Sequence, residues 1–328
     1  MITRIVSRAC LVALIASLAA CGKAPPPDGA SSRSASSKPT TASTGSASAE
    51  EVAAEARGDL RCPAKIKTPA RAAGAPVDDV VGVRPGMSHD EATNVVLCTN
   101  DLLIAQADRS RSFNINTYGQ TVRQGFGARF AVPRVQRTSK QIMADLQRDA
   151  MARSSNAVRQ DMKPGQAKWY VSTMGMPGEE RVIAAAREEW FEQGSNPTMD
   201  SVEQALVKKY GTPTHSQKAG QDRQLTWAYD PLGRRITETS PLYNKCYGSA
   251  DPDSGTNFSP DCGIVVAAYV RATRENPGLS HDLQVGVIDQ AKGYESITST
   301  EQALQQLDAR RKAQELEAAS KNAKAPEL

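Results

Sequence analysis

Residues 9–20 are apolar apart from Ser17, with Arg4 and Arg8 ahead of them and the small residues Ala19 and Ala20 directly before Cys21. That order is the order of a secretory leader: a positive start, a short apolar segment, then small residues at the cut. The run is too short for a permanent bilayer span, which takes about 20 residues. It constrains the fold because a chain exported before it folds does so where thiols oxidise. Beyond the leader and Cys21 there are four cysteines, Cys62, Cys98, Cys246 and Cys262. An even set in an exported chain reads as two disulfides, with three pairings open. The sequence-local pairing is favoured, Cys62 with Cys98 and Cys246 with Cys262. The second bond would close a loop of about 15 residues, worth about 3 kcal/mol in the chain-entropy model. The spacings do not fit a zinc site, which takes closely spaced cysteine pairs or nearby histidines.

The stretch Leu18-Ala19-Ala20-Cys21 resembles the lipobox of bacterial lipoprotein signal peptides. The resemblance implies that residues 1–20 are removed, that the Cys21 thiol carries diacylglyceryl, and that its amine is acylated. Burial contributes about 0.8 kcal/mol per CH₂, and more than one chain makes a stable anchor. In lipoproteins an Asp after the lipidated cysteine tends to retain the protein at the inner membrane. Gly22 in that place implies an outer-membrane anchor facing the periplasm. Residues 21–57 then read as a disordered linker: Pro25-Pro26-Pro27 is followed by Ser, Thr, Ala and Gly with little large apolar surface to offset the entropy of ordering. As a coil, this linker spans roughly 33 Å.

Lys and Arg number 40 against 36 Asp and Glu, and the leader takes Arg4 and Arg8 from the basic side. The near balance left in the exported part excludes the strong basic excess of a nucleic-acid binder. The rest of the chain predicts an α+β protein of antiparallel sheets with packed helices. A first region covers 58–165, a second 166–298, and a C-terminal helix and tail 299–328. Ser88 with Glu91 is a capping box that opens a helix from about 89 to 100. Strands are expected near 102–107 and 125–132, and a helical pattern over 136–160. Strands follow at 168–173 and 181–191. A helix capped by Thr198 runs to Lys209 and ends at Gly211. Strands at 225–229, 262–273 and 282–289 complete the pattern, the last two joined by an Asn276-Pro277-Gly278 turn. Ser299 with Gln302 reads as a further capping box, opening the last helix.

Two stretches are similar to the SmpA/OmlA (BamE-like) outer-membrane lipoprotein family. One is Val83-Arg84-Pro85-Gly86-Met87-Ser88 leading into a helix. The other is Lys209-Tyr210-Gly211-Thr212-Pro213 followed by Trp227-Ala228-Tyr229. The resemblance implies two BamE-like α/β subunits in tandem. It rests on turn chemistry and brings no catalytic residue with it.

A search for chemistry yields little. His89, His215 and His281 are the three histidines, none spaced as a metal pair. His89 reads as a solvated first-turn residue and His281 as a loop histidine beside Asp282. No G-x-S-x-G elbow is present. Arg123, among the glycines of 119–127, suggests a surface turn. The pairs Glu179-Glu180 and Glu188-Glu189 fit the two carboxylates of glycoside chemistry in residue type, but adjacent glutamates read first as solvated edges. The basic segment 134–168 reads as a solvated face, with lipid headgroups as the alternative. No cofactor and no catalytic or metal residue is expected. The leading expectation is a non-enzymatic, lipid-anchored module that binds an envelope protein. The alternative is a periplasmic inhibitor or immunity-type lipoprotein that inserts the loop at 251–261 into a lytic enzyme. A hydrolase ranks last.

Overall fold

The computed structural model describes residues 46–106, 113–154 and 162–322, without the side chains of 148–154. The leader, Cys21 and most of the linker lie outside the described residues. So do Ala107 and Ser112, residues 155–160 of the helical pattern, and the last six residues. Everything that follows belongs to the compact unit Thr44–Leu328.

The elements run α1 (Ala49–Arg57), α2 (His89–Leu97), β1 (Leu103–Gln106), β2 (Gly125–Phe130) and α3 (Ser139–Ser154). Then come β3 (Ala167–Met174), β4 (Arg181–Trp190), α4 (Met199–Tyr210), β5 (His215–Ala219) and β6 (Asp222–Ala228). The chain closes with β7 (Ile264–Ala272), β8 (Ser280–Asp289) and α5 (Gln290–Asn322). All eight strands form one antiparallel sheet in the order β1-β2-β3-β4-β8-β7-β6-β5. The α+β expectation holds at that level. The regions expected at 58–165 and 166–298 contribute neighbouring strands, β2 and β3, to this single sheet.

The strand order is palindromic about β4 and β8. Each half is a helix followed by a four-stranded meander, α2 with β1–β4 and α4 with β5–β8. The hydrogen bonds at the start of the two helices match one for one. His89 N donates to Glu180 O, and Met199 N donates to Gly278 O. Val182 N donates to Met87 O, and Ser280 N donates to Pro197 O. The N-caps Ser88 and Thr198 bridge Arg181 and Leu279. Each helix is therefore capped and clamped to the start of its own meander's last strand. The central pairing respects the same symmetry: Ala184 faces Ile288, Trp190 faces Asp282, and Arg187 faces Val285 at the middle. Each half also carries a bulge at the matching place. Ile183 is the extra residue of β4 against β3, and His281 is the extra residue of β8 against β7.

Both α2 and α4 pack on one face of the sheet. Val95 and Val96 of α2 join Val202, Leu206 and Tyr210 of α4 over Trp169, Val171, Trp227, Val266, Val285 and Val287 in one core. The hydroxyl of Ser88 accepts from Glu91 N at 3.2 Å, as expected of a cap. The Glu91 carboxylate does not close the box. It accepts instead from Lys67 N and Thr68 N, which pins the lead-in segment to α2. The Cys62–Cys98 disulfide fastens the same segment at the end of α2. Cys246–Cys262 closes the base of the long β6–β7 connection. The favoured pairing is the one observed.

The opposite face is covered by α5 and by the disulfide loop. Helix α5 packs on β3, β4, β7 and β8, with Leu304 fully buried. The loop lies close on the sheet, since a Cβ at Gly286 would meet Ser249 O at 2.2 Å and one at Gly293 would meet the Phe258 ring. It is docked rather than projecting. Three further expectations are corrected. The last helix starts at Gln290, where Asp289 accepts from Lys292 N, so Ser299 lies inside it. The end of the expected linker is ordered, because α1 is capped by Ser48 and Glu51, and Ala47 pairs with Arg134. β5 was not expected at all. Among the described residues no helix is long and apolar enough to cross a membrane.

Candidate binding cleft

On the α5 face the side chains change character along the strands. Ala184, Ala186, Glu188 and Trp190 alternate onto this face of β4, and Asp282, Gln284, Gly286 and Ile288 onto this face of β8. The apolar ends lie under the loop and α5. The polar ends line an open cleft of about 580 Å³, together with Lys168, Asp251, Asp253, Arg271, Arg274 and His281. A bulge places two successive side chains against one partner residue and re-aims them. That is how the neighbours His281 and Asp282 both reach the cleft.

A continuous chain of hydrogen bonds and ion pairs crosses its floor. His281 Nδ1 lies 2.7 Å from Asp282 Oδ2. Arg271 Nε donates to Asp282 Oδ1 at 2.8 Å, and its Nη2 donates to Glu188 Oε1 at 2.8 Å. Trp190 Nε1 donates to the same Glu188 oxygen. Lys168 Nζ lies 2.9 Å from Glu188 Oε2 and also bonds Asp253 of the disulfide loop. Asp282 is only 1% exposed, Glu188 3% and Lys168 6%. Burial pushes the Asp282 carboxyl above its ordinary pKa despite the cations beside it. Burial also works to lower Lys168, but the hydrogen bonds it donates to Asp253 and Glu188 outweigh it and the ammonium is held charged. Trp190 and His281 meet edge to face at 5.0 Å. With Nδ1 directed at Asp282, Nε2 is the imidazole atom left to meet a ligand.

Glu188 was expected on a solvated edge, and the structure corrects this. A β-strand alternates faces, so Glu189 turns to the other side and pairs with Arg187 while Glu188 is buried. His281 is on a strand bulge and not in a loop. Glu180 is likewise buried rather than solvated, at 1% exposed. It accepts from Arg123 N at 3.1 Å, Arg123 Nη2 at 2.9 Å and Gly178 N at 3.0 Å. Arg123 is thus a structural pin between the β2 lead-in and the β3–β4 turn. His89 is partly buried, its ring edge-on to Phe126 at 5.2 Å. His215 meets the rings of Tyr243 at 4.0 Å and Tyr247 at 5.3 Å. Lys168 and Asp253, central to the cleft, carried no signal in the sequence beyond the charge of their types.

Glu188, Asp251 and Asp253 bring carboxylate oxygens within 4.8 Å of one another, an arrangement able to hold a cation. The Lys168 ammonium already bonds two of the three. The cluster is a cage for that ammonium. No Ser, Thr or Cys lines the cleft beside the His281–Asp282 pair among the described residues. The arrangement supplies hydrogen-bond donors, acceptors and an aromatic edge.

No protein-family model matches the chain, and no curated protein or solved structure matches it either.

Proposed function

We propose that the protein is a non-enzymatic binding module of the bacterial cell envelope, anchored by lipid on Cys21, whose polar cleft receives an envelope protein partner. The observation that carries this reading is broken symmetry. The two halves of the sheet share backbone geometry down to the bulge, yet matching positions differ in chemistry. Asp282 corresponds to Ala184, Gln284 to Ala186, His281 to Ile183, Trp190 to Ile288 and Arg271 to Ser172. The counterparts Ile183, Ala184, Ile288 and Ser172 are small or apolar and buried. The fold is thus compatible with an apolar filling at this position. Burying several charges costs free energy that well-packed apolar residues avoid. A cost of that kind, left open to solvent, supports a role in recognition.

The exposed rim residues Arg274 and Glu275 give a test that leaves the floor intact. In crosslinked envelopes, the wild-type protein is expected to retain one specific partner. Arg274→Glu with Glu275→Arg is expected to reduce that recovery at least about tenfold, equivalent to about 1.4 kcal/mol. Equal recovery by both proteins contradicts the proposal. The inhibitor reading fares worse, because the loop it needs to insert is docked, with Asp253 on Lys168 of β3 and Phe258 against Gly293 of α5.

Kinship with the SmpA/OmlA family belongs to the same proposal. It is supported by the second motif acting as one unit: Trp227 Nε1 donates to Gly211 O at 2.7 Å, and its ring meets Tyr210 at 5.1 Å. The Gly-Thr-Pro reversal thereby docks α4 on its strand.

A further inference from the structure

Helix α3 stands apart from the rest of the fold. Among the described residues it makes no substantial packing with another helix or strand. Ile142, Met143 and Leu146 are all exposed, and their i, i+3 and i+4 spacing sets them in one stripe. Val132 and Val135, just ahead of the helix, are exposed as well. Thr138 caps the helix, with Gln141 completing the exchange. A helix of this length is marginal in water when nothing covers its apolar side. The stripe therefore calls for an occupant.

The route of the chain identifies one. Ala47 and Arg134 exchange both backbone hydrogen bonds, N to O at 2.9 and 2.8 Å. The linker from Cys21 thus joins the folded unit beside Val132 and Val135, at the foot of α3. Some 26 positions of chain separate Cys21 from Ala47. The helix itself is roughly 24 Å long. A lipid-anchored Cys21 would tether the folded unit to the bilayer through the segment that pairs at the foot of α3. Lys140 opens the same helix and carries the side-chain chemistry that suits anionic headgroups, while Arg137 is paired with Asp145 at 2.8 Å.

We propose that the apolar stripe of α3, with Val132 and Val135, rests on the phospholipid surface of the membrane that carries the anchor. This goes beyond the binding-module reading and rests on its lipid anchor for orientation. The contact itself is testable without lipid on the protein. The mature chain carrying Cys21→Ser is followed by amide hydrogen exchange, with and without vesicles of phosphatidylethanolamine and phosphatidylglycerol at high lipid. Exchange of the 139–147 amides is expected to slow at least about tenfold with vesicles while that of α4 stays unchanged. The combined variant Ile142→Glu, Met143→Glu, Leu146→Glu is expected to lose the slowing. Its folding is not at issue because all three side chains are exposed. Equal exchange with and without vesicles, or slowing that persists in the triple variant, overturns the proposal. An unmodified Cys21 thiol in the cell-derived protein would sink the anchor reading and leave the vesicle result standing.

Discussion

Val81 shows how local cost marks this chain residue by residue. It sits at φ +45° in the two-residue reversal closed by Val80 and Val83, with Gly82 at φ +85° beside it. Left-handed backbone suits glycine and disfavours a β-branched side chain by about 1–2 kcal/mol. Val81 is 48% exposed, so little packing is lost on truncation. Val81→Gly is therefore expected to stabilise the protein by about 1 kcal/mol in urea denaturation; a destabilised variant would show that the side chain is held by its surroundings. Lys168 lies at the other extreme. Its removal takes from Glu188 and Asp253 their shared cation, leaving Glu188 with Arg271 and Trp190. Lys168→Met is expected to cost about 1–3 kcal/mol in the same measurement. A loss within error of zero would mean that water already serves the two carboxylates.

Among the elements, the capped helices and bonded loops hold the two halves to their sheet. Ser88→Ala and Thr198→Ala each remove a side-chain acceptor at matching helix starts. Both are expected to cost about 1 kcal/mol, with similar values at the two sites. The loop 246–262 closes the floor of the cleft through Asp253. Reducing its bond by Cys246→Ser with Cys262→Ser is expected to cost about 3 kcal/mol and to raise proteolysis within the loop; intact resistance to protease would show that docking alone holds it. The legibility of each element followed its environment. Helix α4 was plain because Thr198, the spacing of Val202 and Leu206, and Gly211 all agree. β4 was read correctly only through the turns that bound it, since its alanines give no alternation. β5 has no apolar face to read, being a polar, exposed edge, which is also what protects a sheet edge from unwanted pairing. Glu91 formed half of its expected box because a tertiary partner, the backbone at Lys67 and Thr68, competed for its carboxylate.

For the molecule as a whole, pH dependence follows from the buried acids. Burial raises the Glu180 and Glu91 carboxyls, but hydrogen bonds from Arg123 to the first and from Thr68 and Lys67 to the second outweigh it, so both lie below their ordinary value of 4.5. A depressed folded pKa contributes stability that is fully present above the unfolded value and is lost as pH falls through the folded one. Asp282, raised by burial above 3.8, contributes in the opposite sense, with stability present below its unfolded value and lost as pH rises through the folded one. Burial also depresses the His89 imidazole below 6.5, so stability is expected to begin falling below about pH 6.5 and to fall further below about pH 4.5, where the depressed carboxyls protonate. Glu180→Gln is expected to cost about 2 kcal/mol at neutral pH and to flatten the acid limb; an unchanged limb would assign acid unfolding elsewhere. The sheet's two-fold plan was only half legible, through two turn motifs, because the matching strands share geometry and not residue types. The cleft was illegible because Lys168 meets Glu188 across β3 and β4, Arg271 meets Asp282 across β7 and β8, and the two pairs join only when β4 pairs with β8. The claim on which the reading turns is that this cleft is where the molecule meets its partner. Photocrosslinking decides it, with benzoylphenylalanine placed at Arg274 on the rim or at the exposed Leu232 away from it, in cells carrying the full chain. The account predicts a discrete adduct from position 274 that is absent from position 232. Adducts that are identical at both positions, or absent at 274, would contradict it.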